Sequence, residues 1–98
     1  MTITTNRNEN ELTIALEGRL NTLTAPDLDA KLDEVLDGVE KLVFDLAELE
    51  YISSAGLRVL VSAYKVMQEQ GEMVIRNAKP DIVDVFEVTG LDNLFELD

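Results

Sequence analysis

Two adjacent serines, Ser53 and Ser54, stand in EYISSAGLRVLVSAY (residues 50–64), between an apolar pair and a run of helical period. A serine hydroxyl can be a nucleophile, a helix cap, or the acceptor of a group delivered by another enzyme. The first role needs a base. The chain has no histidine and no cysteine, which removes Ser-His-Asp and Cys-His activation, disulfides, thiolate metal sites and the usual zinc ligand. No carboxylate or lysine constellation near Ser54 replaces them, and the chain carries neither a P-loop nor a G-x-G-x-x-G sequence. No enzymatic activity, cofactor or metal site is expected.

The cap and the target remain. Serine at a helix start accepts a bond from a free backbone N–H and stabilises the helix by roughly 1 kcal/mol over alanine. Either Ser53 or Ser54 fits that role, and one cap leaves the other serine unexplained. Ala55 and Gly56 follow, although glycine in a first helical turn costs up to about 1 kcal/mol against alanine. The small pair is expected to keep the approach to the helix N-terminus open, where N–H groups and the positive dipole end favour an anion such as phosphate. Phosphorylation there by an outside enzyme would add about −1.5 to −2 charges.

The elements that must position the serines follow from changes in hydrophobic period. MTITTNR and LTIALEG alternate as two strands, NENE between them reads as a hairpin turn, and GRL prolongs or kinks the second strand. TAPDLDAKLDEVLDG is a helix: Thr24 as N-cap with Asp27 as a weak capping-box partner, Pro26 in the first turn, and Gly38 as the stop. Its apolar stripe is Leu28, Leu32, Val35 and Leu36, and Asp27, Asp29 and Asp33 form a solvated face without the spacing of a calcium loop.

KLVFDL (residues 41–46) is a strand buried on both faces, connected through AELEYI to a helix from Ser54 to about Glu69. That helix turns Leu57, Leu60, Val61, Tyr64 and Met67 inward and ends at Gly71, before the strand EMVIRN. Strand, helix and strand make a right-handed parallel βαβ unit. Pro80 to Gly90 is a last helix facing inward through Ile82, Val83 and Phe86, and NLFELD is a final turn or edge segment. Tyr51, Met67 and Phe86 read as core or loop packing, and Arg58 and Lys65 as surface positions flanking the stripe. The order is ββαβαβα: an α/β fold with one mixed sheet of about four strands and helices packed on it.

A chain of 98 residues suits one domain over 1–98. Twenty acids against eight bases give a net charge of −12, which repels nucleic acid and anionic lipid, so neither direct nucleic-acid nor membrane binding is expected. Such charge keeps a protein soluble, and it also suits a partner with a basic docking face. The first residues lack a basic start and an apolar h-region, and no apolar run approaches the ~20 residues of a membrane span. A cytoplasmic location is expected.

LVFDLAELEYISSAGLRVLVSAYKVMQEQG, with LEGRLNTLTAPDLDAKL upstream, resembles the STAS domain of bacterial anti-sigma factor antagonists, from ELTIALEGRL to VFEVTGLDNLFEL. The resemblance implies a small cytoplasmic α/β protein that works by partner exchange. Unphosphorylated, it binds an anti-sigma factor that is also a serine kinase and so frees the sigma factor. Phosphorylation of a serine at this helix start ends the complex, and a serine phosphatase resets it. The family pattern is Asp-Ser-Ser/Thr-Gly-Leu, with phosphate on the serine after the aspartate. Anchored on Gly56 and Leu57, it implies Ser54 as the acceptor, with Ser53 the fallback and cap, in place of the aspartate. Ala55 replaces the second hydroxyl, and Asn21 stands where the family has an acid after Gly-x-Leu. The implied partner surface is Asn21, Thr22, Asp45, Ser53, Ser54, Ala55, Gly56 and Arg58. Asp45 either satisfies loop N–H groups or orients the serine or partner, and Arg58 is near enough to meet a phosphate. The missing acids also suit an alternative, a STAS adaptor docking on a transporter or stress-signalling complex without being phosphorylated.

Overall fold

The computed structural model describes residues 1–98 as β1 (Thr2–Asn8), β2 (Glu11–Leu20), α1 (Ala25–Val35), β3 (Lys41–Ile52), α2 (Ser54–Gln70), β4 (Glu72–Arg76), α3 (Pro80–Thr89), a 3₁₀ turn (Leu91–Asn93) and β5 (Glu96–Leu97). The strands form a single sheet in the order β1-β2-β3-β4-β5. β1 is antiparallel to β2, and every later pairing is parallel. The mixed sheet and the ββαβαβα order are as expected. A fifth strand joins the expected four because the end of the chain returns to the edge of β4. There the Asp98 N–H donates to the Ile75 carbonyl at 2.8 Å and Arg76 Nε donates to Asp98 Oδ2 at 3.1 Å.

Period-2 alternation puts Leu12, Ile14 and Leu16 of β2 on one face of the sheet, with Leu42 and Phe44 of β3 and Met73 and Ile75 of β4 beside them. All three helices pack on that face: Leu28 and Leu32 of α1, Leu57, Leu60 and Met67 of α2, and Ile82 and Phe86 of α3 join the strands in one buried cluster. Val43 and Val74 are buried too, outside that cluster, which fits the reading of KLVFDL as apolar on both sides. No helix is long and apolar enough to cross a membrane.

Three expectations change. β3 runs to Ile52, so AELEYI is strand and not connection. Its buried residues Leu46, Leu49 and Ile52 fall every third position and hide the strand period. The register against β2 explains the spacing: Ala15 to Glu17 matches Asp45 to Glu48, and Gly18 to Arg19 matches Leu49 to Tyr51. Each step leaves one extra residue on β3, which is how a β-bulge reorients side chains. On α3, Val85 rather than Val83 packs against the core, because Ile82, Val85 and Phe86 are the set at i, i+3 and i+4. Tyr51, expected as core or loop packing, lies on β3 and is 40% exposed.

Candidate functional site

The bulged end of β3 brings two loops together. Leu20 and Ile52 are paired at the ends of β2 and β3, and the Ser53 N–H donates to the Leu20 carbonyl at 2.9 Å. The turn after β2 and the start of α2 therefore sit side by side at the carboxyl ends of parallel strands, where open α/β sheets commonly bind ligands.

The two serines have different tasks. Ser53 is extended (φ −96°, ψ 174°) and its Oγ accepts the Gly56 N–H at 3.3 Å, while its carbonyl accepts the Leu57 N–H at 2.9 Å. Ser53 is the cap. Ser54, the first helical residue, is exposed, and its hydroxyl makes no hydrogen bond within the chain. A free hydroxyl at a helix start, where the dipole favours added negative charge, is chemically suited to receive a phosphate.

Gly56 has another purpose than the expected one. It is buried, and a β-carbon there would stand 2.6 Å from Leu20 Cγ and 3.0 Å from Ile52 Cγ1. Its missing side chain lets α2 approach the ends of β2 and β3, and so positions Ser54 instead of clearing a path to it. Ala55, half-buried, packs against the core as well.

The turn after β2 is braced by its own side chains. Asn21 Oδ1 accepts the N–H groups of Leu23 (3.0 Å) and Thr24 (3.1 Å). Thr24 Oγ1 accepts the Asn21 N–H at 2.8 Å and donates to the Arg19 carbonyl at 2.8 Å. Thr24 was expected to cap α1 with its side chain. Its backbone is instead αR and its hydroxyl is spent on the turn, because Asn and Thr side chains compete for nearby backbone groups. The brace leaves Thr22 exposed and Leu23 85% exposed beside the serines. Behind them the Arg19 guanidinium lies 4.2 Å from the centre of the Tyr51 ring, a cation–π contact across paired strands.

Asp45 stands apart. It is seven residues upstream of Ile52 on β3, roughly 20 Å at strand rise. Its Oδ1 accepts the Ala47 N–H at 3.1 Å and Asn77 Nδ2 at 3.2 Å. It serves local backbone and a neighbouring turn, and none of its hydrogen bonds reaches a serine. Arg58 lies one helical turn after Ser54, and from there a groove of about 490 Å³ runs between α2 and the end of α3. Leu57, Val61 and Leu91 supply its apolar lining, Arg58 and Lys65 its charge, and Ser54, Ser62 and Thr89 its hydroxyls.

The model of the STAS domain matches residues 2–98. The chain belongs to the STAS domain family. It is 40% identical over 97 residues to BtrV of Bordetella bronchiseptica, a candidate anti-sigma factor antagonist, covering 97% of this chain and 84% of that protein. Identity is 33% over 94 residues to the anti-sigma-B factor antagonist of Listeria monocytogenes, with 93% and 82% of the two chains covered. The crystal structure of an anti-sigma factor antagonist from Mycobacterium paratuberculosis superposes with a TM-score of 0.88 at 26% identity, over 98% of this chain and 83% of that one.

In this STAS domain the fold gathers Asn21, Thr22, Ser53, Ser54, Ala55, Gly56 and Arg58 at one end, and leaves Asp45 out. Sequence reasoning passed over Arg19 and Leu23 and read Tyr51 as core or loop packing, because their exposure depends on the turn brace and the bulges. It also passed over Ser62, Thr89 and Leu91, which meet only when α3 packs beside α2. Ser62 had a readable signal: positions 54, 58, 62 and 65 recur at i, i+4, i+8 and i+11, a polar stripe along one side of α2.

Proposed function

We propose that this STAS domain is an anti-sigma factor antagonist acting in the cytoplasm. Unphosphorylated, it binds an anti-sigma factor with serine kinase activity through the start of α2 and the turn at Asn21 and Thr22. The kinase transfers phosphate to the Ser54 hydroxyl, the complex separates, and a serine phosphatase restores the binding form. The domain is not itself an enzyme.

One observation carries the reading. Of two adjacent serines, Ser53 is occupied as the cap and Ser54 presents a hydroxyl without an internal partner. Phosphate there adds about −1.5 to −2 charges, which a partner surface fitted to a neutral hydroxyl would have to desolvate and tolerate. The helix dipole favours the phosphate within the antagonist, so the modification breaks the complex while sparing the fold.

The test is calorimetric binding of three forms to the anti-sigma factor kinase. Ser54→Ala is expected to bind within about twofold of the parent, and Ser54→Asp to lose at least about tenfold, or 1.4 kcal/mol. Equal binding by Ser54→Asp would refute the switch. That result would favour the constitutive adaptor on a transporter or stress-signalling complex, a reading supported by Ser53 and Asn21 standing where the family has acids.

A further inference from the structure

The groove beside Ser54 differs in charge from the rest of the molecule. Acids outnumber bases 20 to 8 along the chain, yet the groove between α2 and the end of α3 is lined by two bases and no acid. Neither base is neutralised: the ion pairs of the fold use Lys41 and Arg76, and Arg58 and Lys65 enter none. Both are exposed. Seven residues separate them on α2, roughly 10 Å at helical rise, and Leu57, Val61 and Leu91 provide apolar surface along the groove.

We infer that this groove docks an acidic amphipathic helix of the anti-sigma factor, with carboxylates about two turns apart meeting Arg58 and Lys65 and apolar residues covering Leu57, Val61 and Leu91. The inference rests on the function proposed above and adds to it the chemistry of the partner. A helix laid into a groove is read through apolar anchors at i, i+3, i+4 and i+7, and about three turns of α2 from Ser54 to Lys65 offer that length. Charge complementarity favours an acidic segment here, because two unpaired bases and no acid line the groove of a chain that otherwise repels it. It also gives phosphorylation a second effect. A phosphate on Ser54 enters the end of the same groove, one turn from Arg58, where it competes for that guanidinium and repels the partner's carboxylates.

The test measures association and dissociation rates of the purified anti-sigma factor kinase with the parent protein, Lys65→Glu, the conservative Lys65→Arg, and Lys31→Glu on α1 as a charge-matched control, at low and high salt. Lys65 is exposed and Lys31 half-buried; all the variants are expected to fold, and a circular dichroism melt verifies it for each. Lys65→Glu is expected to weaken binding about tenfold or more, chiefly through slower association, and the gap should narrow at high salt as charges are screened. Lys65→Arg and Lys31→Glu should stay within about twofold of the parent at low salt. Lys65→Glu binding like the parent, or Lys31→Glu falling equally, overturns the groove while leaving the function standing. A parent protein that does not bind the kinase at all removes the function itself. A parent dimer in analytical ultracentrifugation that Lys65→Glu dissociates would instead assign the groove to the acidic α1 of a second copy.

Discussion

The two ends of α2 use similar residues for opposite purposes. Each has a glycine that cannot carry a side chain. At the C-terminal end a β-carbon on Gly71 would overlap the Glu40 carbonyl oxygen, and the Glu72 N–H donates to that same oxygen at 2.9 Å. Gln70 completes the closure, its Nε2 donating to the carbonyls of Leu36 (2.9 Å) and Val39 (2.8 Å). That end ties the helix to the connection between α1 and β3 through the Gln70 amide and the Glu40 carbonyl. At the N-terminal end Gly56 also draws the helix close, here against the side chains of Leu20 and Ile52, but the polar group that follows the cap is left unpaired. Tight packing fixes both ends, and the first presents the unpaired Ser54 hydroxyl on which the proposed function rests.

Substitutions at the two ends should therefore separate by kind. Gly71→Ala is expected to be the most damaging, at about 3 kcal/mol or more, because its β-carbon meets backbone that cannot step aside. Urea unfolding would register it as a lower midpoint at unchanged slope. Gly56→Ala meets the buried side chains of Leu20 and Ile52 rather than backbone and regains some helix propensity, so about 1–2 kcal/mol is expected. Gln70→Ala leaves two carbonyls without their donor and should cost about 1–2 kcal/mol. Ser53→Ala removes the cap and should cost about 1 kcal/mol. Ser54→Ala should lie within about 0.5 kcal/mol of the parent. A Ser54→Ala penalty equal to that of Ser53→Ala would erase the contrast between the serines. A Gly71→Ala penalty below that of Gly56→Ala would erase the contrast between the ends.

Much of this was legible in the residues. Alternation in LTIALEG and the helical period from Leu57 to Met67 announced the elements that hold the site, and the mixed sheet followed from their order. What the sequence concealed lay where local rules yielded to neighbours. β3 extends beyond its apolar run because two bulges relax its period, and no single-strand pattern shows a bulge that only pairing with β2 defines. Thr24 carries every mark of an N-cap, yet its hydroxyl serves the turn because Asn21 and the Arg19 carbonyl lie within reach. Gly56 looked like a gap left for a visitor and proved to be a contact, since the closeness of Leu20 depends on strands distant in sequence. Asp45 was placed with the serines by resemblance alone, and the length of β3 separates them.

The central claim is that Ser54, not Ser53, is the target. It is tested most directly by incubating the parent, Ser53→Ala and Ser54→Ala with ATP and the anti-sigma factor kinase and locating phosphate by fragmentation mass spectrometry. The account predicts one phosphate on Ser54 in the parent and in Ser53→Ala, and none in Ser54→Ala. Phosphate on Ser53, or an unmodified parent beside a control substrate that the same kinase modifies, would contradict it.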